Sequence, residues 1–194
     1  MDNDHAKLVI ATRNVHKLEE IQAIFDFQSL EILSALDFPD IPDVVEDGET
    51  LEANAIKKAV EIAKATGCWS MADDSGLEVD VLDGAPGIYS ARYAGEHCSY
   101  ADNNEKLLRE LVGKPDRSAR FRTAIALSDP EGNTQTVEGA CPGTIIEELR
   151  GSKGFGYDPL FVPEGYSKTF AELDSDVKNC ISHRAIALKK AQDA

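Results

Sequence analysis

Four short stretches of the chain combine residue types that do chemistry. Thr12-Arg13-Asn14-Val15-His16-Lys17 stands between an apolar run and an apolar-periodic segment. A polar loop where a strand gives way to a helix is where open α/β sheets bind ligands; the helix-start amides cradle phosphate and a lysine adds a mobile positive charge. The same pattern is also an ordinary strand-loop-helix connection, and it lacks the glycine-rich P-loop of kinases and GTPases. Asp73-Asp74-Ser75-Gly76 lies at another predicted strand end. Adjacent carboxylates in a strand point to opposite faces, so one of the two faces a given ligand. Magnesium takes one or two carboxylates plus water and substrate phosphates, so one aspartate here and one acid from elsewhere would hold it. Asp-Asp-Ser-Gly is equally ordinary turn chemistry. In Gly154-Phe155-Gly156-Tyr157-Asp158-Pro159, aromatics held by glycines could stack a nucleobase while the acid reads its edge, or could close a tight turn on core rings. Lys178 and Ser182-His183-Arg184 fall on one predicted helix, five and six residues apart, a spacing that does not share a narrow stripe unless the helix is irregular. A solvated basic face is the plain alternative.

These stretches need elements to position them. Lys7 to Thr12 reads as a strand, and Leu18, Ile21, Ile24 and Phe25 as the apolar stripe of a following helix. Leu30 to Ala35 is a second strand, and Pro39 and Pro42 mark a loop that carries Glu46-Asp47-Gly48. Thr50 to Thr66 repeats Ala55, Ala59, Ile62 and Ala63 on one face, a long helix ended by Gly67. Trp69 to Ala72 and Leu77 to Leu82 read as two strands around the polar break 73–76, and Gly84 to Gly87 turns the chain again. Tyr100 to Val112 is helical; Ala119 to Ser128 and Thr134 to Gly139 form a hairpin turning at Pro130 to Asn133. Gly151 to Asp158 leads into Leu160 to Val162, and from about Asp174 the chain ends in one helix through Ile181, Ala185 and Leu188. Strands and helices alternating at both ends around an antiparallel centre make a mixed sheet with helices on its faces.

Composition narrows the function. At 194 residues, 42% hydrophobic and 28% charged, the chain is one domain with a sizeable core, and disordered, collagen-like and coiled-coil classes are excluded. A net charge of −15 has the wrong sign for wrapping a phosphate backbone, so no nucleic-acid partner is expected. An anionic ligand would then need a local cluster of cations and a divalent metal. Cys68, Cys98, Cys141 and Cys180 are 30, 43 and 39 residues apart, too scattered for a zinc or redox pair, which suggests a reducing compartment. Met1 to Lys7 lacks a basic start followed by an apolar stretch, and no run approaches the ~20 apolar residues of a membrane helix. The expectation is a cytoplasmic protein with no membrane partner.

Taken together the motifs resemble the inosine/xanthosine triphosphate pyrophosphatases, ITPase-like enzymes that hydrolyse non-canonical purine nucleoside triphosphates. The matching stretches are residues 11–20, 46–59, 72–95, 154–162 and 178–184, from near the first residue to near the last, and the third is the most specific. The resemblance implies an α/β fold, an elongated mixed β-sheet flanked by helices, with two lobes and a central substrate cleft, within a single domain over 1–194, in a homodimer. It implies cleavage of ITP, dITP or XTP to the monophosphate and pyrophosphate, with one magnesium ion per active site. Carried over by position, Thr12 to Lys17 is the triphosphate loop, with Asn14 and Lys17 its main side-chain contacts. Glu46 and Asp74 hold the metal, Asp74 also takes the proton of the attacking water, Ser75 touches substrate, and Lys58 faces the phosphates or the acids. Phe155, Gly156, Tyr157, Asp158, His183 and Arg184 form the base pocket, and Lys178 reaches toward the nucleotide. Lys17, Lys58, Lys178 and Arg184 would then supply the cation cluster that the acidic composition demanded.

The sequence departs from the family pattern in places. Arg13 and His16 stand where glycines are frequent, Ala53 replaces a frequent glutamate, and Cys180 and Ala185 replace a frequent alanine and glycine. A loop acting through its amides tolerates the first two, and Ala53 removes one possible metal ligand. Base choice is expected from hydrogen-bond polarity: donors in 183–184 would accept a 6-oxo purine and leave adenine unpaired, a kind of site that discriminates by ~10⁴. Two rival readings are a related pyrophosphatase acting on other triphosphates and a nucleotide-binding regulatory module without turnover. The pair His183-Arg184 with the block 154–159 argues against the first, and the presence of Glu46, Asp74 and Lys17 against the second.

Overall fold

The computed structural model describes residues 6–25 and 30–193; residues 1–5, read above for a leader, lie outside them. Six strands form one mixed sheet in the order β2-β1-β3-β4-β5-β6. β1 (Ala6–Ile10) lies parallel to both β2 (Leu30–Ser34) and β3 (Trp69–Val79), with Ile10 level with Ser34 on one side and Met71 on the other. β4 (Ser118–Ser128) and β5 (Thr134–Ile145) are sheet neighbours joined by a short turn, and β6 (Phe161–Pro163) pairs antiparallel with β5. The helices are α1 (Val15–Ile24), α2 (Leu51–Thr66), α3 (Tyr100–Glu110), α4 (Ser175–Ile181) and α5 (His183–Gln192).

Local chemistry explains most of these boundaries. The Thr50 hydroxyl accepts from the Ala53 amide and starts α2, and Gly67 ends it in the left-handed region at φ 68°. Asn14 caps α1 by accepting from the amides of His16 and Lys17. Ser99 and Asp102 form a reciprocal capping box on α3. In the β4–β5 turn Asp129 accepts from the backbone and side chain of Asn133, at 2.8 and 2.7 Å.

The chain divides into two compact units. The first comprises residues 1–74, 123–138 and 187–194, with a core of Leu8, Ile10, Ile21, Met71, Ile125 and Leu188. The second comprises residues 75–122 and 139–186, with a core that includes Leu77, Leu107, Phe121, Phe161 and Phe170.

Three sequence expectations need correction. Asp73 to Gly76 does not break a strand: β3 runs unbroken from Trp69 to Val79, and a 3-10 turn, Asp80–Leu82, replaces the end of the expected second strand. Charged residues sit inside this strand because lysines and an asparagine bond them, as described below, and Gly76 is accommodated because a Cβ there would collide with the Gly87 carbonyl. The expected C-terminal helix is two helices. Ser182 is extended at φ −68°, ψ 157°, donates its amide to the Lys178 carbonyl, and accepts from the Ala185 amide at 3.1 Å. It closes α4 and caps α5, which is the competition with helix continuation that serine offers. β5 extends six residues beyond Gly139, with Cys141 and Ile145 buried in alternation and Pro142 exposed.

Candidate active site

Parallel strands end at one edge, and the register decides what meets there. Ile10 pairs with Met71, and two residues past them along the chain come Thr12 and Asp73. Thr12 Oγ1 accepts from the Asn14 amide at 3.2 Å and Asn14 Oδ1 from those of His16 and Lys17 at 3.0 and 3.2 Å, so the loop is shaped by its own side chains. Lys17 Nζ reaches Asp73 Oδ2 at 3.1 Å, on a carboxylate group only 1% exposed.

The other acids converge from the loop before α2 and from β3. On the buried face of α2, among Leu51, Ala55, Ala59 and Ile62, stand two polar residues four apart, Asn54 and Lys58. Lys58 Nζ donates to Glu46 Oε1 at 2.6 Å, to the Asp73 carbonyl at 2.7 Å and to Asp74 Oδ1 at 3.4 Å. Asn54 Nδ2 donates to Asp74 Oδ2 at 3.1 Å, while its Oδ1 accepts from the Gly48 amide at 2.8 Å. Thr123 Oγ1 donates to the Asp74 carbonyl at 3.0 Å. Burial pushes the Asp74 carboxyl above the ordinary carboxylate range, and Lys58 and Lys17 pull it only part of the way back. Burial also opposes the charge of Lys58, but Asp74, Asp73 and Glu46 outweigh it and hold the ammonium above the usual lysine value.

This donor set suits a hard divalent cation. Glu46 and Asp74 already share a cationic centre, the Lys58 ammonium, and magnesium accepts two carboxylates when phosphates and water complete its shell. Among the described residues no group of three or more His, Cys, Asp or Glu is arranged around a metal position.

All these residues belong to the first unit; the second unit gathers the aromatic and basic candidates around the turn 154–158. Asp158 Oδ2 accepts from the Phe155 amide at 2.9 Å and is ion-paired with Lys178 Nζ, both side chains being buried. Gly154 sits at φ +69°, and a Cβ there would collide with that same Asp158 oxygen. The Phe155 ring has the Lys178 ammonium 5.1 Å and the Arg184 guanidinium carbon 5.9 Å from its centre. Arg184 is 1% exposed and donates to Ser75 Oγ at 3.2 Å. His183 stacks on Phe121, centroids 4.7 Å apart and planes at 12°.

Several expected contacts point elsewhere in this structure. The Arg13 guanidinium binds the loop after β2, donating to the Ile41 carbonyl at 2.5 Å and pairing with Asp43 at 2.6 Å. His16 faces Glu19 at 3.8 Å and the Val15 side chain is exposed. Tyr157 is buried and donates its hydroxyl to the Ser90 carbonyl at 2.9 Å. On one regular helix Lys178 and Arg184 would not share a stripe; the break at Ser182 brings both cations to the Phe155 ring. Sequence reasoning missed Asn54, Thr123 and Asn104, whose Nδ2 donates to the Gly156 carbonyl at 2.9 Å. For Asn54 a signal was present, since an asparagine and a lysine four apart interrupt an otherwise apolar helix face. Thr123 has none, being one more alternating residue of a strand.

Comparison with known proteins gives a consistent result. A family model described as the Ham1 family matches residues 8–194. A protein of Desulforamulus reducens named dITP/XTP pyrophosphatase is 52% identical over 189 residues, covering 96% of this chain and 94% of its own. One of Geobacter sulfurreducens with the same name is 52% identical over 189 residues, covering 96% and 95%. The solved structure of the Staphylococcus aureus Ham1 protein superposes with a TM-score of 0.88 at 42% identity, over 96% of both chains.

Proposed function

The chain belongs to the Ham1 family, and on that premise we infer that it hydrolyses non-canonical purine nucleoside triphosphates, dITP and XTP foremost, to the monophosphate and pyrophosphate. It is a nucleoside-triphosphate pyrophosphatase, and removing such nucleotides keeps them out of DNA and RNA. We read residues 1–194 as one pyrophosphatase domain, working as a cytoplasmic homodimer; four free cysteines favour a reducing compartment. No helix among the described residues is long and apolar enough to cross a membrane.

One observation carries the mechanism: Glu46 and Asp74 converge on a single cationic centre while Lys17 stands beside the same strand. Glu46 and Asp74 would hold one magnesium ion, which supplies charge neutralisation on the phosphates and an acidified water. Asp74 accepts the proton of the water that attacks the α phosphorus. In the chain itself, with no metal bound, burial raises the proton affinity of this carboxyl. Asn54 and Thr123 hold the orientation of Asp74, so the base is aimed before substrate arrives. Lys17, released from Asp73 or shared with it, takes up charge on the departing pyrophosphate beside the loop 12–17. Lys58 keeps the acids together and neutral enough to coexist. In the second unit Phe155 supplies the stacking face, Arg184 and His183 the donors for a 6-oxo group, and Ser75 a polar contact to substrate; Asp158 and Lys178 shape the turn that carries the ring.

The test is pyrophosphate release from ITP, dITP and XTP against ATP and GTP, with and without magnesium, for the wild type and Asp74→Asn. Metal-dependent release from ITP, dITP and XTP but not from ATP or GTP, lost in the variant, is expected. Tight nucleotide binding with no release from any purine triphosphate would overturn the reading.

A further inference from the structure

α3 carries two consecutive asparagines, Asn103 and Asn104, both at least 95% buried. Asparagine is a poor interior helix residue because its amide competes with the backbone, so two in succession call for a reason. Asn103 has one: its Oδ1 accepts from the Ala94 amide at 2.7 Å and its Nδ2 donates to the Ala91 carbonyl at 3.1 Å, pinning the loop that precedes the helix. Asn104 makes a different bargain. Its Nδ2 donates to the Gly156 carbonyl, 52 residues away in sequence, while its Oδ1 is buried with no partner among the described residues. A buried acceptor left unbonded costs free energy. The single bond to Gly156 is what this residue contributes.

Gly156 is the middle of the turn whose first aromatic is Phe155. One helical turn before Asn104, on the same side of α3, stands Tyr100, 42% exposed, with its ring 6.0 Å from that of Phe155 at 44°. Ser99 and Asp102 cap the helix here, so Tyr100 is held by a defined helix start and not by a fraying end. α3 thus touches the turn 154–158 twice, once at its backbone and once at its ring. The remaining ties of that turn, through Asp158 and Tyr157, leave the Gly156 carbonyl to Asn104.

We propose that α3 sets base selectivity: Asn104 is the positioning residue that fixes the base-reading turn through Gly156, and Tyr100 braces the Phe155 ring against which the purine stacks. The proposal rests on the pyrophosphatase reading above. Stacking and hydrogen-bond readout both depend on sub-ångström placement of the ring, so a turn that loses its tether should accept wrong bases more readily and hold the right one less well.

The experiment compares kcat and KM for ITP and GTP in wild type, Asn104→Leu, Asn104→Gln, Tyr100→Ala and Tyr100→Phe, each with magnesium, and inhibition by inorganic tripolyphosphate, which reports the phosphate-binding residues alone. For Asn104→Leu, which keeps the volume and removes the donor, the KM for ITP rises about tenfold with less than a threefold fall in kcat. The ITP:GTP ratio of kcat/KM falls about tenfold, and tripolyphosphate inhibition does not move. Asn104→Gln, which keeps a donor, recovers part of the ratio. Tyr100→Ala raises the KM for ITP about threefold and Tyr100→Phe restores it. An ITP:GTP ratio within twofold of wild type in Asn104→Leu overturns the proposal while leaving the pyrophosphatase reading intact. So does an equal loss for both nucleotides and tripolyphosphate, which marks a purely structural residue. Absence of ITP cleavage by the wild type overturns both. Circular dichroism and thermal melts of Asn104→Leu and Asn104→Gln accompany the kinetics; if the first is unfolded, the Tyr100 pair decides by the same ratio.

Discussion

The candidate residues of the two units are held in place by different physics. In the first unit, three carboxylates, Glu46, Asp73 and Asp74, crowd around two lysines, and like charges are kept close by opposite ones. In the second, a single buried ion pair, Lys178 with Asp158, sits inside a turn otherwise fixed by neutral hydrogen bonds and ring contacts. The first arrangement is tuned by any cation that enters it; the second is indifferent to cations and sensitive to shape. Chemistry at a phosphate needs adjustable charge, whereas reading a base needs fixed geometry, and the chain assigns each demand to a different construction.

Substitutions can separate the two. Asp74→Asn keeps the shape and the bond from Asn54 but removes the base; kcat should fall by about 10³-fold or more, with nucleotide binding retained, as read by pyrophosphate release and by equilibrium titration. Lys58→Met strips the counter-charge from a buried acid cluster, a change that destabilises by ~3–5 kcal/mol. Its thermal melt should drop accordingly and be partly restored by millimolar magnesium, since a divalent ion can replace the missing ammonium among Glu46 and Asp74. Lys178→Met leaves Asp158 buried without its partner and should cost about 3 kcal/mol. Here magnesium should give no recovery, and adding Asp158→Asn should give some; recovery by magnesium would erase the distinction drawn between the two units. The smallest effect belongs to Ser182→Ala, which removes the cap of α5 and should cost about 1 kcal/mol, a shift of roughly 2–4 °C in Tm. If it also lowers selectivity for ITP over GTP, the cap serves the base-reading residues as well as the helix.

Much of this was legible in sequence, and the failures share a cause. Repeating apolar residues located α2 to within a residue, because Thr50 and Gly67 punctuate it by local chemistry. The loop 12–17 was legible because a strand end collects polar residues, and the acids 73–74 because two adjacent aspartates stand out beside apolar runs. The break expected inside β3 failed because two aspartates look like a turn until Lys17, Lys58 and Asn54, 56, 15 and 20 residues away, are known to bond them. The unbroken C-terminal helix failed because a serine inside an apolar-periodic segment can continue it or cap a new one, and periodicity does not choose. Asn104 was invisible for the same reason: its partner, Gly156, lies 52 residues away. Pattern reveals faces and ends of elements; it does not reveal which distant group a buried polar side chain will meet.

β3 also limits how this chain can vary in length. Side chains along a strand alternate with a period of two, so adding one residue between Met71 and Asp73 would present Asp73 where Asn54 and Lys58 now meet Asp74, and deleting one would present Ser75 there. Beyond them, Gly76 would leave its close approach to Gly87, and Ser75 its bond from Arg184. The β4–β5 turn, whose Asp129 and Asn133 bond each other and neighbours within the same turn, can absorb an insertion. Length variation among functional versions of this chain belongs in such turns, and within the eleven residues of β3 a single-residue insertion should abolish activity while many substitutions do not.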